Sequence, residues 1–403
     1  MPSGGALRLC RRVPRARYRG GVKRNPVLDE LGFYPISILQ EKARDMRARG
    51  EFVVDFSIGD PREPTPPFIP AALKAAVPVV SQYPTVAGLP ELRRAVAAYV
   101  GRRFGIEVNP NTEILPTAGS KEATFTTPLA LITPGAGQAV VFGTPGYPVY
   151  ERGARFAGAD AVGIPLTGDF VLRAGDIPGE VWRRTAAVWI CSPHNPTGAI
   201  TNAADLADLI AACREHDALL LADECYCDLY DEEVPPSALQ VAGTGYRNVL
   251  SYLSCSKRSG MTGYRSGAIV GDAGAIAVLR DLRSSVGVAS PEFVQAAAVA
   301  AWSDDAHAVE RRGIFFAKRV VLRRAFEDMG YEVVGSRAGI YLWVKVDDDL
   351  AVTERLLEHG VVVSPGRIFG SGGEGFIRFA LVPTLEETEQ AVEVLAACLS
   401  PTN

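Results

Sequence analysis

The 403-residue chain is poor in the residues that hold metals, with four histidines and seven cysteines. His194, His216, His307 and His359 show no HExxH or HxxxH spacing, and Cys225 and Cys227 form a CxC pair with no CxxC anywhere. A zinc site would lack ligands, so no metal is expected. An odd cysteine count without CxxC spacing in a long chain predicts reduced thiols and a cytoplasmic setting. Long apolar runs are missing too. The best candidate, Ala289 to Trp302, is broken by Ser290, Pro291, Glu292 and Gln295. It falls short of the roughly 20 apolar residues a membrane span needs, so no membrane partner is expected. There is no glycine period and no internal repeat. No Gly-x-Gly-x-x-Gly turn follows a strand pattern, which argues against a nicotinamide-binding domain. What remains, 47% hydrophobic and 22% charged, fits a globular α/β protein.

Charge is unevenly placed. Residues 1–24 hold eight basic and no acidic side chains, so the net charge of −4 leaves −12 for the rest. An acidic body has no basic face for nucleic acid. The tail is Arg-rich like a targeting peptide but has only Ser3 and no apolar h-region, and it could bind polyanions weakly. It reads best as a disordered extension.

The length exceeds a single core of roughly 100–200 residues and predicts two domains. Helix Pro90–Phe104 is followed by short apolar runs at Ala139–Phe142, Ala186–Ile190, Ala218–Ala222, Val249–Leu253 and Ala268–Val270. They alternate with helical patterns such as Asn202–His216, as crossover units feeding a parallel sheet do. After Ser290–Pro291 come helix patterns at Pro291–Trp302 and Val309–Met329, then strand patterns at Tyr331–Val334, Gly339–Val346 and Phe376–Ala380. The expected division is a large domain over 60–290 and a smaller α+β domain from 25–59 and 291–403.

In an open parallel sheet, ligands bind beyond the carboxyl ends of the strands. The residues standing there are Asn195-Pro196-Thr197-Gly198, Asp223 with Tyr226, and Ser254-Cys255-Ser256-Lys257. Upstream, Gly119-Ser120-Lys121 sits where a helix begins and offers free N–H groups to a phosphate. Each element alone is an ordinary turn, cap or rim charge. Together, an amide, a carboxylate, a phenol, a phosphate cup and one of only seven lysines match what pyridoxal phosphate requires. The lysine forms the Schiff base, the carboxylate keeps the pyridine nitrogen protonated, and the cup holds the cofactor.

Asn195-Pro196-Thr197-Gly198, Asp223, Tyr226, Ser254-x-Ser256-Lys257, Arg265 and Arg378 resemble, in order and spacing, the class I/II aminotransferases of fold type I. The resemblance runs from about Asn25 to the C-terminus. It implies an α/β fold whose large domain has a mostly parallel sheet, with pyridoxal 5′-phosphate as cofactor. By that resemblance Lys257 is the Schiff-base lysine and proton shuttle, and Asp223 the partner of the pyridine nitrogen. Asn195 and Tyr226 bond the ring oxygen, and Tyr147 stacks on the ring. Gly119, Ser120, Lys121, Ser254, Ser256 and Arg265 take the phosphate. Arg378 takes the substrate α-carboxylate, which suits a planar fork, and Gly59 lines the substrate pocket. Tyr83 reaches the phosphate of a neighbouring subunit, which implies a homodimer.

Among these enzymes the chain is most similar to the succinyldiaminopimelate transaminase branch. It differs at Arg62-Glu63, at Gly260-Met261-Thr262 and at His194, which predicts a changed substrate pocket. The expected activity is ping-pong amino transfer between an amino acid and a 2-oxo acid, with Lys257 as acid and base. The same motifs also suit elimination, replacement or cyclisation at the β or γ carbon. A cofactor-binding sensor is a third class, but residues 1–24 are too short for a DNA-binding head.

Overall fold

The computed structural model of the chain describes residues 23–31 and 37–399; of the basic tail, residues 1–22 lie outside that range. Short apolar runs build a seven-stranded sheet in the order Ile114–Thr117, Gly267–Gly271, Val249–Ser254, Leu219–Asp223, Thr185–Cys191, Ala139–Thr144 and Asp160–Pro165. Alternate residues point to opposite faces of a pleated strand. Val188, Ile190, Leu220 and Ala222 therefore join one core, and Ala187, Trp189, Cys191 and Leu221 the other. With both faces buried, the strands read as continuous apolar runs rather than alternating ones.

Two differences from the sequence reading stand out. The outermost strands, Ile114–Thr117 and Asp160–Pro165, have no counterpart in it. They carry Pro116 and Pro165, and proline is tolerated only at edges and strand ends, so neither looks like a core strand. The second difference is direction. Gly267–Gly271, expected to be parallel, pairs antiparallel with both Val249–Ser254 and Ile114–Thr117. The link from Ser254 to Gly267 is spent on a one-turn helix, Cys255–Arg258, and a 3₁₀ turn, Thr262–Tyr264. It folds back on the same end of the sheet instead of crossing over.

A second, antiparallel sheet orders Ser364–Pro365, Phe376–Ala380, Tyr341–Lys345 and Val333–Val334. Val54–Asp55 pairs in parallel with Val361–Val362, and helix Ser37–Ala48 lays Leu39 and Ala43 on Leu357 and Val362. The N-terminal segment is thus tied to the C-terminal one. Helix Pro90–Phe104 starts with proline, whose missing N–H costs nothing at that position. Asn202 caps helix Ala203–Glu215 by accepting from the Asp205 N–H at 2.9 Å. Helix Glu292–Ser303 sets Ala297, Ala301 and Trp302 in the same core as Leu92 and Tyr99. The long helix begins earlier than Val309, at Ala306, and ends at Asp328. Among the described residues no helix is long and apolar enough to cross a membrane.

Candidate active site

Strand register brings the chemistry to one edge. Thr117 and Ser254 both lie opposite Gly267, and Asp223 lies between Cys191 and Tyr252. Beyond Ser254 the chain turns into Cys255–Arg258, capped by the Ser254 hydroxyl, which accepts from the Ser256 N–H at 3.1 Å. Lys257 projects from that turn and its Nζ donates to the Gly59 carbonyl. Burial lowers its pKa to about 8, aided by Arg265 and Arg378 and opposed by Cys225 and Asp60. An amine with so low a pKa is a nucleophile and base near neutral pH.

Asp223, the last residue of its strand, is buried, and burial pushes its pKa up. Its Oδ2 accepts from the Tyr150 hydroxyl at 3.0 Å, and its Oδ1 from the Cys225 N–H at 3.4 Å. A carboxylate so disposed gains from a cationic partner such as a protonated pyridine nitrogen. The Tyr147 ring meets Tyr150 edge-on at 5.6 Å. Tyr226 and Tyr341 share a hydroxyl–hydroxyl hydrogen bond of 2.9 Å. Arg378 donates to Asn195 Oδ1 at 2.9 Å and to the Ser57 carbonyl at 2.6 Å. Its guanidinium lies 4.4 Å from the rings of both Tyr341 and Phe369. Those two rings and the two acceptors hold the fork in one orientation before any carboxylate arrives.

Helix Ser120–Leu131 starts after Gly119, whose φ of 88° is the left-handed region, and no side chain caps its N–H groups. A Cβ at position 119 would sit 2.6 Å from Arg265 Nη2, so a larger residue there would push that guanidinium from its place over the helix start. The Lys121 pKa is lowered by burial and then by the positive charges of Arg265 and Arg152. Uncapped N–H groups and crowded cations make an anion site. Ser254 and Ser256 are buried, and Gly267 separates Ser254 from Thr117, just before that helix, across the sheet. Tyr83, by contrast, is fully exposed, beside exposed Val79 and Val80.

The donor set fits pyridoxal phosphate: an amine of lowered pKa, a buried carboxylate, an aromatic pair and a cationic cup where a Cβ would intrude. Tyr150, Tyr341 and Ser57 were not reached by sequence reasoning. Only Tyr150 carried a signal, standing one helical turn after Tyr147. His194, one of the departures from the related transaminases, is buried with its Nδ1 on Thr197 Oγ1 at 2.8 Å, and burial lowers its pKa to about 4. It is a neutral side chain of the Pro193–Gly198 turn. Arg62 pairs with Glu387 at 2.7 Å, whereas Glu63 turns away to buried Lys318.

Comparison with known proteins agrees with this geometry. Residues 51–395 match the family model described as aminotransferase class I and II. The chain is 34% identical over 378 residues to LL-diaminopimelate aminotransferase 2 of Nostoc sp., covering 91% of this chain and 96% of that protein. It is 36% identical over 365 residues to the LL-diaminopimelate aminotransferase of Nitratidesulfovibrio vulgaris, covering 87% and 93%. The solved structure of a probable N-succinyldiaminopimelate aminotransferase from Thermus thermophilus superposes with a TM-score of 0.84 at 29% identity, covering 90% of this chain and 99% of that one.

Proposed function

The chain belongs to the class I and II aminotransferases, enzymes that use pyridoxal 5′-phosphate, and from that premise we propose that Lys257 is the catalytic amine and a diaminopimelate-type amino acid the donor. The reaction moves an amino group from an amino acid to a 2-oxo acid, in two half-reactions at one site. Bound there, pyridoxal phosphate supplies the sink for the electron pair left when the substrate Cα–H bond breaks.

Each residue has a task in this reading. The uncharged Lys257 amine takes the α-proton and returns it. Asp223 holds a proton on the pyridine nitrogen, and Tyr150 orients that carboxylate. Asn195 and Tyr226 hold the ring oxygen, and Tyr147 covers the ring. Gly119, Ser120, Lys121, Ser254, Ser256 and Arg265 hold the phosphate, and Arg378 grips the α-carboxylate. The carrying observation is Lys257, poised near pH 8 against the Gly59 carbonyl.

Substrate choice rests on the names of the relatives and on one cavity. Its volume is about 280 Å³, and Arg47, Asp55, Ile58, Asp60, Arg62 and Val382 line it beside Gly59. Both signs of charge there suit a substrate with a second amino-acid end. The exposed Val79, Val80 and Tyr83 support a homodimer in which Tyr83 enters the neighbouring site. A reducing cytoplasm suits the free cysteines. Elimination or replacement chemistry has no observation in its favour.

The test is the visible spectrum of the holoenzyme against a panel that includes glutamate and LL-diaminopimelate. Loss of the cofactor's visible absorbance with diaminopimelate, restored by 2-oxoglutarate, is expected. Release of ammonia without reversal by a 2-oxo acid would overturn the reading. Lys257→Ala should abolish the covalent band altogether.

A further inference from the structure

Helix Ala306–Asp328 buries His307, Arg311 and Lys318 on one face, at spacings that return to the same side of a helix. Burying three basic groups carries a desolvation cost, and their partners show what they serve. His307 Nε2 meets Ser259 Oγ at 2.9 Å, while its Nδ1 meets Asp304 at 2.7 Å. Lys318 pairs with Glu63 and donates to the Leu381 carbonyl at 3.3 Å. Arg311 lies between them. Its Nη1 donates to the Pro64 carbonyl at 3.2 Å and its Nε to the Lys257 carbonyl at 3.4 Å. A Cβ on Gly260 would come within 2.8 Å of Arg311 Nη1, so the guanidinium lies directly on that backbone. Thr65 makes a parallel tie, its hydroxyl donating to the Gly260 carbonyl at 2.7 Å.

We propose that Arg311 is a positioning residue for amino transfer, tying the Gly59–Thr65 loop to the turn that carries Lys257. Gly59 faces Lys257 Nζ from one end of that loop, and Arg311 and Thr65 clamp its other end to the 257–260 backbone. Packing does not account for the guanidinium. An apolar side chain would fill the space without leaving Nη2 lacking a partner among the described residues. Two carbonyls on separate segments do account for it.

The inference rests on the assignment of Lys257 above, so the holoenzyme of Arg311→Met is read beside Lys257→Ala. With Arg311→Met the covalent band should persist. We expect kcat to fall about 10–100-fold, the scale of a small misplacement of reacting groups, with KM changing less. The pH midpoint of the band should shift from the wild-type value, because the Gly59 carbonyl and the turn that carries the Lys257 nitrogen are no longer fixed relative to each other. Arg311→Lys, which can reach one carbonyl, should recover part of kcat. Thr65→Val, which disturbs no charge, should lower kcat in the same direction. Wild-type kcat and midpoint in both Arg311→Met and Thr65→Val would overturn the proposal, as would a loss of thermal stability alone. Should Arg311→Met not fold, Thr65→Val decides. A covalent band that survives Lys257→Ala would refute the lysine assignment instead, a separate failure.

Discussion

Lys257 should capture aldehydes at a pH where ordinary lysines do not. Burial lowers its pKa from the usual 10.5 to about 8, and each pKa unit is tenfold in the protonation ratio. At pH 7 roughly one tenth of the amine is then uncharged, against about 0.03% for an unperturbed lysine, a gain of roughly 300-fold. The assay is the growth of visible absorbance when apoenzyme meets pyridoxal phosphate, followed from pH 6 to pH 10. The rate should rise about tenfold per unit at first, bend near pH 8 and level above pH 9. Asp60 raises the pKa of Lys257, so Asp60→Asn should move the bend to lower pH. A rate still climbing at pH 10 would show that burial does not govern this amine. A bend unmoved or raised in Asp60→Asn would refute the electrostatic part of the reasoning.

Three further outcomes follow from the same contacts. In the apoprotein the raised pKa of Asp223 favours folding at low pH, an advantage lost as pH rises through the folded pKa. Asp223→Asn should therefore leave apoprotein melting at pH 7 unchanged or higher while lowering turnover about 10²–10³-fold; near-normal rates would remove Asp223 from the site. Arg378→Lys loses the fork held by Asn195 and Ser57, and KM for α-carboxylate substrates should rise about 10–100-fold. An unchanged KM would place the carboxylate elsewhere. Gly119→Ala puts a Cβ against Arg265 at a left-handed position, at a cost of about 1–3 kcal/mol. A cofactor titration should show weaker binding, and an unaltered titration would contradict the phosphate cup.

The sequence by itself determined many of the elements and the strand ends at which an amide, a carboxylate and a lysine stand. Helix Pro90–Phe104 and strand Phe376–Ala380 have the bounds that their patterns indicated, because periodicity and terminal residues act over a few positions. Asp223 and Lys257 stand where strands end, and a strand end followed by a reactive side chain is a local pattern; Arg378, inside strand Phe376–Ala380, was named only through the family resemblance. The partners of those residues were not. Tyr150 is 73 residues from Asp223, Tyr341 is 115 from Tyr226, and Ser57 is 321 from Arg378. Only strand order, register and the packing of one sheet on the other bring such pairs within hydrogen-bond distance. The reversed strand Gly267–Gly271 and the buried cations of helix Ala306–Asp328 belong to the same class. An apolar run does not encode its direction, and a helix pattern does not show which face meets a backbone folded against it. Those choices were made where the chain closes on itself, since the contacts that stabilise them exist only in the assembled structure.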